Sequence, residues 1–172
     1  RKNGRVREKI YRSYLEIKSL SELKEVKKPS ENYFIELSDP KEFQLNKFFY
    51  KNIGKNYQWV DRLIWTDLDW IRYTSNEKLF TYILKSKDEI AGYFELLFNK
   101  ESKEAEIAYF GILDEYFGKR LGGYMLSEAI KNSFKIGSKK IVVHTCSLDH
   151  KNALNNYLSR GMKVYKVETI IN

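Results

Sequence analysis

Cysteine occurs once in the 172 residues, at Cys146, so no internal disulfide can staple the fold. A lone thiol fits a reducing compartment, and the expected location is the cytoplasm. Long apolar runs are missing as well: none approaches the roughly 20 residues that a membrane helix needs. No signal-peptide pattern opens the sequence, and it carries neither repeats nor low-complexity stretches. Stability must therefore come from an ordinary core. Apolar residues at 42% and aromatics at 15% supply one, in a chain the size of a single domain.

Acidic residues are in deficit, 23 against 31 basic, for a net charge of +8. The excess is local. Arg1–Lys28 holds ten basic and four acidic residues, leaving 21 and 19 for the remainder. A basic arm can attract polyanions, but such arms are more often simply solvated. A nucleic-acid adaptor is the alternative from this class, and nucleic acid is not the expected partner.

The hydrophobic period divides the chain. Ile10–Ile17 alternates as a strand does, and the charged stretch Lys24–Ser30 with Pro29 reads as a linker. We therefore divide the chain into a basic N-terminal strand and linker, residues 1–30, and a domain over 31–172. Tyr33–Leu37 is a second short strand, closed by the turn signal Ser38-Asp39-Pro40. Pro40 is expected to open a helix striped by Phe43, Leu45, Phe48, Phe49 and Ile53 and ended by Gly54. Thr66 or Asp67 caps a short helix through Leu68, Trp70, Ile71 and Tyr73.

Three strands follow, Phe80–Lys85, Glu89–Phe98 and Glu104–Leu113. After Gly118, Gly122 and Gly123 comes a helix with Leu121, Met125, Leu126, Ala129, Ile130 and Phe134 on one face. Gly137 ends it. Lys140–Cys146 is a strand, Asn152–Ser159 a helix stopped by Gly161, and Met162–Thr169 the last strand. The order predicts an α/β fold with a mixed, twisted central sheet.

The chemistry gathers where a strand meets a glycine-containing loop and then a helix, over Ala105–Gly123. Backbone N–H groups at such a helix start are unpaired, and the helix dipole strengthens their pull on anions. Glycines let the backbone approach a phosphate, and Lys119 and Arg120 add positive charge. Taken alone, these residues say "phosphate-bearing ligand". The sequence has no G-x-G-x-x-G after a first strand and no G-x-x-x-x-G-K-[ST], so dinucleotide and P-loop readings are weak.

Glu106–Ala129 resembles the central strand, pyrophosphate loop and helix of the GNAT superfamily of N-acetyltransferases. Val142–Ala153 followed by Tyr157-Leu-Ser-Arg-Gly161 resembles that superfamily's fifth strand and next helix, including its Tyr-x-x-x-Gly ending. The run Asp88–Lys166 fits the family order, and the aromatic stretch Tyr57–Trp70 resembles a bacterial branch of unassigned substrate. There are departures. The family loop is commonly Q/R-x-x-G-x-G/A; here Phe117 stands where Gln or Arg is usual, and Arg120 replaces the first glycine, while Gly122 keeps the second. His150 replaces the commoner Asn seven residues before Tyr157. A left-handed backbone at Arg120 is therefore in question.

The resemblance implies a mostly antiparallel sheet flanked by helices, and acetyl transfer from acetyl-CoA to a primary amine of a small molecule or peptide. It implies that Ile112 and Leu113 hold the pantetheine arm. The loop Phe117, Gly118, Lys119, Arg120, Leu121, Gly122 and Gly123 would hold the pyrophosphate, with His150 beside it. Glu106 matches the position of a base that takes the amine's proton, and Tyr157 matches the tyrosine that protonates the leaving thiolate. Family habit adds a homodimer. The other reading within this fold is a module that binds acyl-CoA without catalysis.

Each candidate has a plainer reading. Glu106 could be a solvent-facing strand carboxylate. Glu95 is its rival as base, and whether both share a face depends on register across Asn99–Lys103. Tyr157 could be an ordinary half-buried aromatic. His144, flanked by apolar residues in a strand, is expected to be a satisfied buried histidine. His144, Cys146, Asp149 and His150 match no zinc spacing, so no metal is expected. Cys146 as an acyl carrier would need a low-pKa setting. Tyr57–Trp65 with Asp67, Asp69 and Trp70 is the acceptor candidate, since aromatic faces and carboxylates suit a cation. It is balanced against Trp59, Trp65 and Trp70 serving as hydrophobic anchors.

Overall fold

A computed structural model describes residues 9–171, so the first eight residues of the basic arm lie outside the described residues. The N-terminal alternation does form a strand, β1 (Lys9–Ile17), and β2 (Tyr33–Leu37) follows the linker. Helix α1 (Phe43–Gly54) starts three residues after Pro40. Glu42 is its cap, accepting from the Gln44 N–H, and so Pro40 lies before the helix rather than in its first turn. Helix α2 (Asp67–Thr74) begins at Thr66, whose hydroxyl and the Asp69 carboxylate form a reciprocal capping box.

The remaining elements are β3 (Leu79–Ser86), β4 (Glu89–Asn99), β5 (Glu104–Ile112), α3 (Leu121–Lys135), β6 (Lys140–Cys146), α4 (Ala153–Ser159) and β7 (Lys163–Ile171). The seven strands form one sheet in the order β2-β3-β4-β5-β6-β1-β7. Among the described residues, β5 and β6 are the one parallel pair, and all other neighbours run antiparallel. This is the mixed, mostly antiparallel sheet with flanking helices that the resemblance implies. Among the described residues, no helix is long and apolar enough to cross a membrane.

The sheet has a different core on each face. Ala105 and Ile107 of β5, Ile141 and Val143 of β6, and Leu15 and Ile17 of β1 pack with Leu121, Met125 and Ile130 of α3. On the opposite face, Phe49 and Ile53 of α1 pack with Ile83, Tyr93 and Leu113. A Cβ on Gly111 would strike the Ile53 side chain, so this glycine sets how closely α1 approaches β5.

The division at residue 30 does not coincide with an edge of the sheet. β1 lies inside it, hydrogen-bonded to β6 on one side and β7 on the other, because Leu15 and Ile17 carry enough apolar surface to belong to the main core. The linker is fastened as well. Lys24 N–H donates to the Arg160 carbonyl, and Val26 N–H to the Ser127 hydroxyl. Gly161, at φ 104°, has the Glu22 carbonyl where a Cβ would stand, so only glycine allows the linker to pass there.

Leu15 is fully buried. Leu15→Ala is expected to lower unfolding free energy by about 2–5 kcal/mol, as for other buried leucines. Urea unfolding checks this; a loss below about 1 kcal/mol would mean that β1 is not a core strand.

Candidate active site

β5 and β6 pair only over Glu104–Glu106 and Lys140–Val142. Directly after this, β5 carries an extra residue: Leu96 of β4 faces Ile107 and Glu95 faces Tyr109, leaving Ala108 as a bulge. A bulge bends and twists its strand. The two parallel strands part from that point, and a cavity of about 900 Å³ opens between them. The β5 edge from Ile107 to Ile112 thus faces a cavity instead of a strand, leaving backbone donors and acceptors there for a ligand.

Helix α3 points its N-terminus at the same space. Its cap residue, Arg120, makes no side-chain capping bond, so the first-turn N–H groups have no side-chain partner there. Arg120 has φ 63° and ψ 30°, the left-handed conformation that a glycine would favour. The side chain has not prevented it, at a cost of about 1–2 kcal/mol. Gly118, at φ 77°, has open space where a Cβ would stand. Phe117 is largely exposed and edges onto His150 with ring centroids 5.8 Å apart; Tyr57 flanks His150 at 6.0 Å. These three rings form a rim.

Most of the residues singled out from the sequence meet here. Ile112, Phe117, Gly118, Arg120, Leu121, Gly122, Gly123 and His150 line the cavity, with Glu106 and Tyr157. Leu113 and Lys119 do not. The Leu113 side chain packs against α1 and its N–H donates to the Ala91 carbonyl, while Lys119 is exposed.

The register across Asn99–Lys103 sets Glu106 opposite Leu97, two residues from Glu95 on β4, so both carboxylates lie on one face of the sheet, yet their surroundings differ. Glu95 is fully buried. Asn46 Nδ2 donates to it at 2.7 Å, the Tyr73 hydroxyl at 2.5 Å, and Arg62 Nη1 stands 3.6 Å away. Glu106 is 40% exposed on its side chain and borders the cavity, with His144 Nε2 3.9 Å from Oε2. Of the two carboxylates, Glu106 is the one open to a ligand.

His144 corrects the expectation of a buried, satisfied histidine. It is half-exposed because alternation in β6 turns it away from α3, and it lines the cavity. Tyr157 is buried between the core and the cavity. Burial, and then the charge of Asp149, pushes its hydroxyl well above the ordinary range, so it keeps its proton through neutral pH. Asp149 accepts from the Thr145 hydroxyl at 2.6 Å and from the Cys146 N–H at 2.9 Å. Among the described residues, no three His, Cys, Asp or Glu side chains gather as a metal site.

The aromatic segment divides between the two readings. Trp70 is fully buried, Asp69 is spent on the α2 capping box, and Asp67 pairs with Lys47 at 2.9 Å. The aromatic faces already hold a cation, the chain's own Arg62. Its guanidinium lies 4.1 Å from the Tyr73 ring centre, 4.2 Å from Tyr109 and 4.7 Å from Trp65. Burial works against that charge, but Glu95, Tyr73 and Tyr109 together outweigh it and the pKa rises. Tyr57, Gln58, Trp59, Asp61 and Arg62 remain on the cavity wall. The sequence reading missed Arg62 as the resident cation. Its one signal was Glu95, a carboxylate inside the apolar run Ala91–Phe98 that had to find a partner. Arg12, on the N-terminal strand, also lines the cavity, and no sequence pattern marked it.

Residues 33–162 match the model of the Acetyltransferase (GNAT) family. No curated protein matches the chain in sequence. Among solved structures, it is similar to a GCN5-related N-acetyltransferase from Kribbella flavida, at 11% identity and TM-score 0.66, covering 94% of this chain and 58% of that one. It is also similar to a conserved protein of unknown function from Staphylococcus epidermidis, at 14% identity and TM-score 0.61, covering 96% and 62%. A third is an aminoglycoside acetyltransferase from an uncultured soil metagenomic sample, at 13% identity and TM-score 0.61, covering 76% and 88%. At these identities the likeness is one of fold. The chain spans less than two thirds of the length of the first two.

Two outcomes follow from the buried cluster. Arg62→Met or Glu95→Leu alone should destabilise by about 3–5 kcal/mol, because each strands a buried charge, whereas the double variant should lose less than the sum. Additive losses in denaturant titrations would mean that the two are not coupled. The second outcome concerns pH. Burial pushes the Tyr109 hydroxyl up to about 12, while an unfolded tyrosine ionises near about 10. Its contribution is therefore full below about pH 10 and is lost as pH rises toward 12. Tyrosinate absorbance followed beside unfolding should show exposed tyrosines titrating first and the buried cluster only as the fold is lost.

Proposed function

The chain belongs to the GNAT acetyltransferase family, and from that premise we propose that it moves an acetyl group from acetyl-CoA to a primary amine of a small molecule or peptide. The observation that carries this reading is a single cavity bordered by an open strand edge, an uncapped helix N-terminus, a protonated phenol and a carboxylate.

Acetyl-CoA supplies an activated thioester. The backbone edge of β5 up to Ile112 is placed to hold its pantetheine arm in strand fashion, since β6 has left that edge free. The amides of Gly118–Gly123 would take the pyrophosphate, using the helix dipole and the close approach that Gly118, Gly122 and Gly123 permit. Arg120 adds charge at the same point. Phe117 and His150 form the rim over which the rest of the molecule would lie.

The acceptor reaches the thioester from the opposite face, where Glu106 stands. An ammonium has no free electron pair, so Glu106, directly or through water, takes one proton before or as nitrogen attacks the carbonyl carbon. As the new C–N bond forms and the C–S bond breaks, the nitrogen gives up a second proton to solvent and becomes the amide N–H. Tyr157 then gives its proton to the departing sulfur. A phenol held protonated by burial cannot be lost to bulk base beforehand, and it recovers its proton by way of solvent.

A thermal-shift series with acetyl-CoA, CoA and longer acyl-CoAs tests the donor side, because a ligand that binds only the native state raises its apparent stability. No shift with any of them would overturn the reading. Thiol release with an amine panel tests transfer itself. Tyr157→Phe and Glu106→Gln are each expected to lower kcat by about 100-fold with little change in CoA affinity. An unchanged rate in Tyr157→Phe would remove the acid role.

A further inference from the structure

We propose that the acceptor is a small amine that itself carries an acidic group, and that Arg12 is the residue that recognises that acid. The inference rests on the acetyl-transfer reading and narrows its acceptor.

Arg12 lies outside the segment matched to the family, residues 33–162, so the family pattern gives it no role. Across the β1–β6 pairing it stands opposite Cys146, and Tyr14 stands opposite His144; on β5, Glu106 stands opposite Val142. Directly opposed side chains share a face of a sheet. The alternate residues, Leu15, Ile17, Ile141 and Val143, point into the α3 core. Arg12, His144 and Glu106 therefore stand together on the other face, and all three line the cavity.

An arginine within a sheet normally finds a carboxylate. Glu168 is the one opposite Arg12 on β7, but it is engaged elsewhere. Its Oε1 accepts from the Tyr14 hydroxyl at 2.6 Å, and its Oε2 lies 3.4 Å from Lys166 Nζ. Tyr14 and the charge of Glu168 keep the Arg12 pKa raised. Even so, Arg12 Nε is buried and has no hydrogen-bond partner among the described residues. Leaving a buried donor unmet is costly, and a guanidinium cannot discharge the cost by losing its proton. An acid satisfies it with two parallel charge-assisted bonds. Two other arginines line the cavity: Arg62 is paired with Glu95, and Arg120 stands at the start of α3, where the pyrophosphate is assigned. Among the described residues, Arg12 is thus the cavity arginine with neither a paired carboxylate nor a place at the start of α3.

The spacing sets the size of the acceptor. Four residues of β6 separate the positions opposite Glu106 and Arg12, about 13 Å along the strand, and two strand spacings add about 10 Å across it, so the two backbones stand about 16 Å apart. Glutamate and arginine side chains take up much of that interval. What remains suits an amine and an acid a few bonds apart, as in an amino acid or an aminoalkylphosphonate.

The test uses matched acceptors with acetyl-CoA and thiol release: α-amino acids against their amides, and aminoalkylphosphonates against the corresponding alkylamines. The wild-type protein should prefer one or both acids over their neutral twins by about 10-fold or more in kcat/KM. Arg12→Gln should bring that preference toward parity by raising KM for acids about 10- to 100-fold more than for neutral amines. Arg12→Lys should restore part of it. A merely structural Arg12 would depress all acceptors alike. Equal use of acid and amide by the wild type, or an equal loss of both in Arg12→Gln, overturns the proposal. A separate binding arm measures the thermal shift given by the same amines in the presence of CoA. If no amine is acetylated, the transfer reading fails. Stabilisation by acids that disappears in Arg12→Gln would still support the recognition step, and its absence would sink that too.

Discussion

The Arg62–Glu95 pair is the interaction around which the α1–α2 side of the molecule is arranged. Glu95 is fully buried on β4 and would be prohibitively costly there as a lone carboxylate. Asn46 reaches it from α1, Tyr73 from α2, and Arg62 from the loop between those helices. Of these elements only α1 packs a core against the sheet, while α2 is two turns long and Arg62 sits in a loop. Their shared obligation to one charge fixes them relative to β4 and β5. Tyr50, Trp65, Trp70, Tyr73 and Tyr109 then close around the guanidinium as packing and as an electrostatic lining. A pair of this kind specifies geometry more than it adds stability.

The two halves of the cavity use different materials. On the side of α3 the work falls to backbone: an uncapped helix start, a strand edge and a left-handed residue. Main-chain groups do not depend on side-chain identity, which explains how the loop tolerates Phe117 and Arg120 in place of commoner residues. On the other side the wall is made of side chains, Glu106, His144, Arg12, Asp61 and the aromatics around Arg62. There, changing one residue changes what can be recognised.

That contrast also explains what could be read from the sequence. Local signals were dependable: the period of α3, the strand β6, the stop at Gly161 and the placement of Tyr157 all depend on near neighbours in the chain. The failures were non-local. His144 reads as buried by its neighbours Val143 and Thr145, but the sheet turns it toward a cavity created by the Ala108 bulge. Pro40 reads as a helix start, but the carboxylate of Glu42 caps the helix later. The aromatic run Tyr57–Trp70 reads as a cation site, and a cation is there; it is one of the chain's own. Nothing near Arg12 in sequence indicates that residues more than 130 positions away will be its neighbours.

The place of β1 between β6 and β7 has a consequence for the order in which the fold can assemble. Among the described residues, β7 pairs with β1 alone, so it reaches the sheet only through β1, and β6 follows β1 by over a hundred residues. A ribosome releases the N-terminal strand long before its partners exist. For that interval Lys9–Ile17 is an unsatisfied edge, open to wrong partners. Its Lys, Arg and Glu residues, three among nine, are the kind of charge that discourages such pairing. High contact order of this sort slows closure. This side of the sheet can thus close only after most of the chain has been made, so the strand that furnishes Arg12 is also among the last to be locked in place.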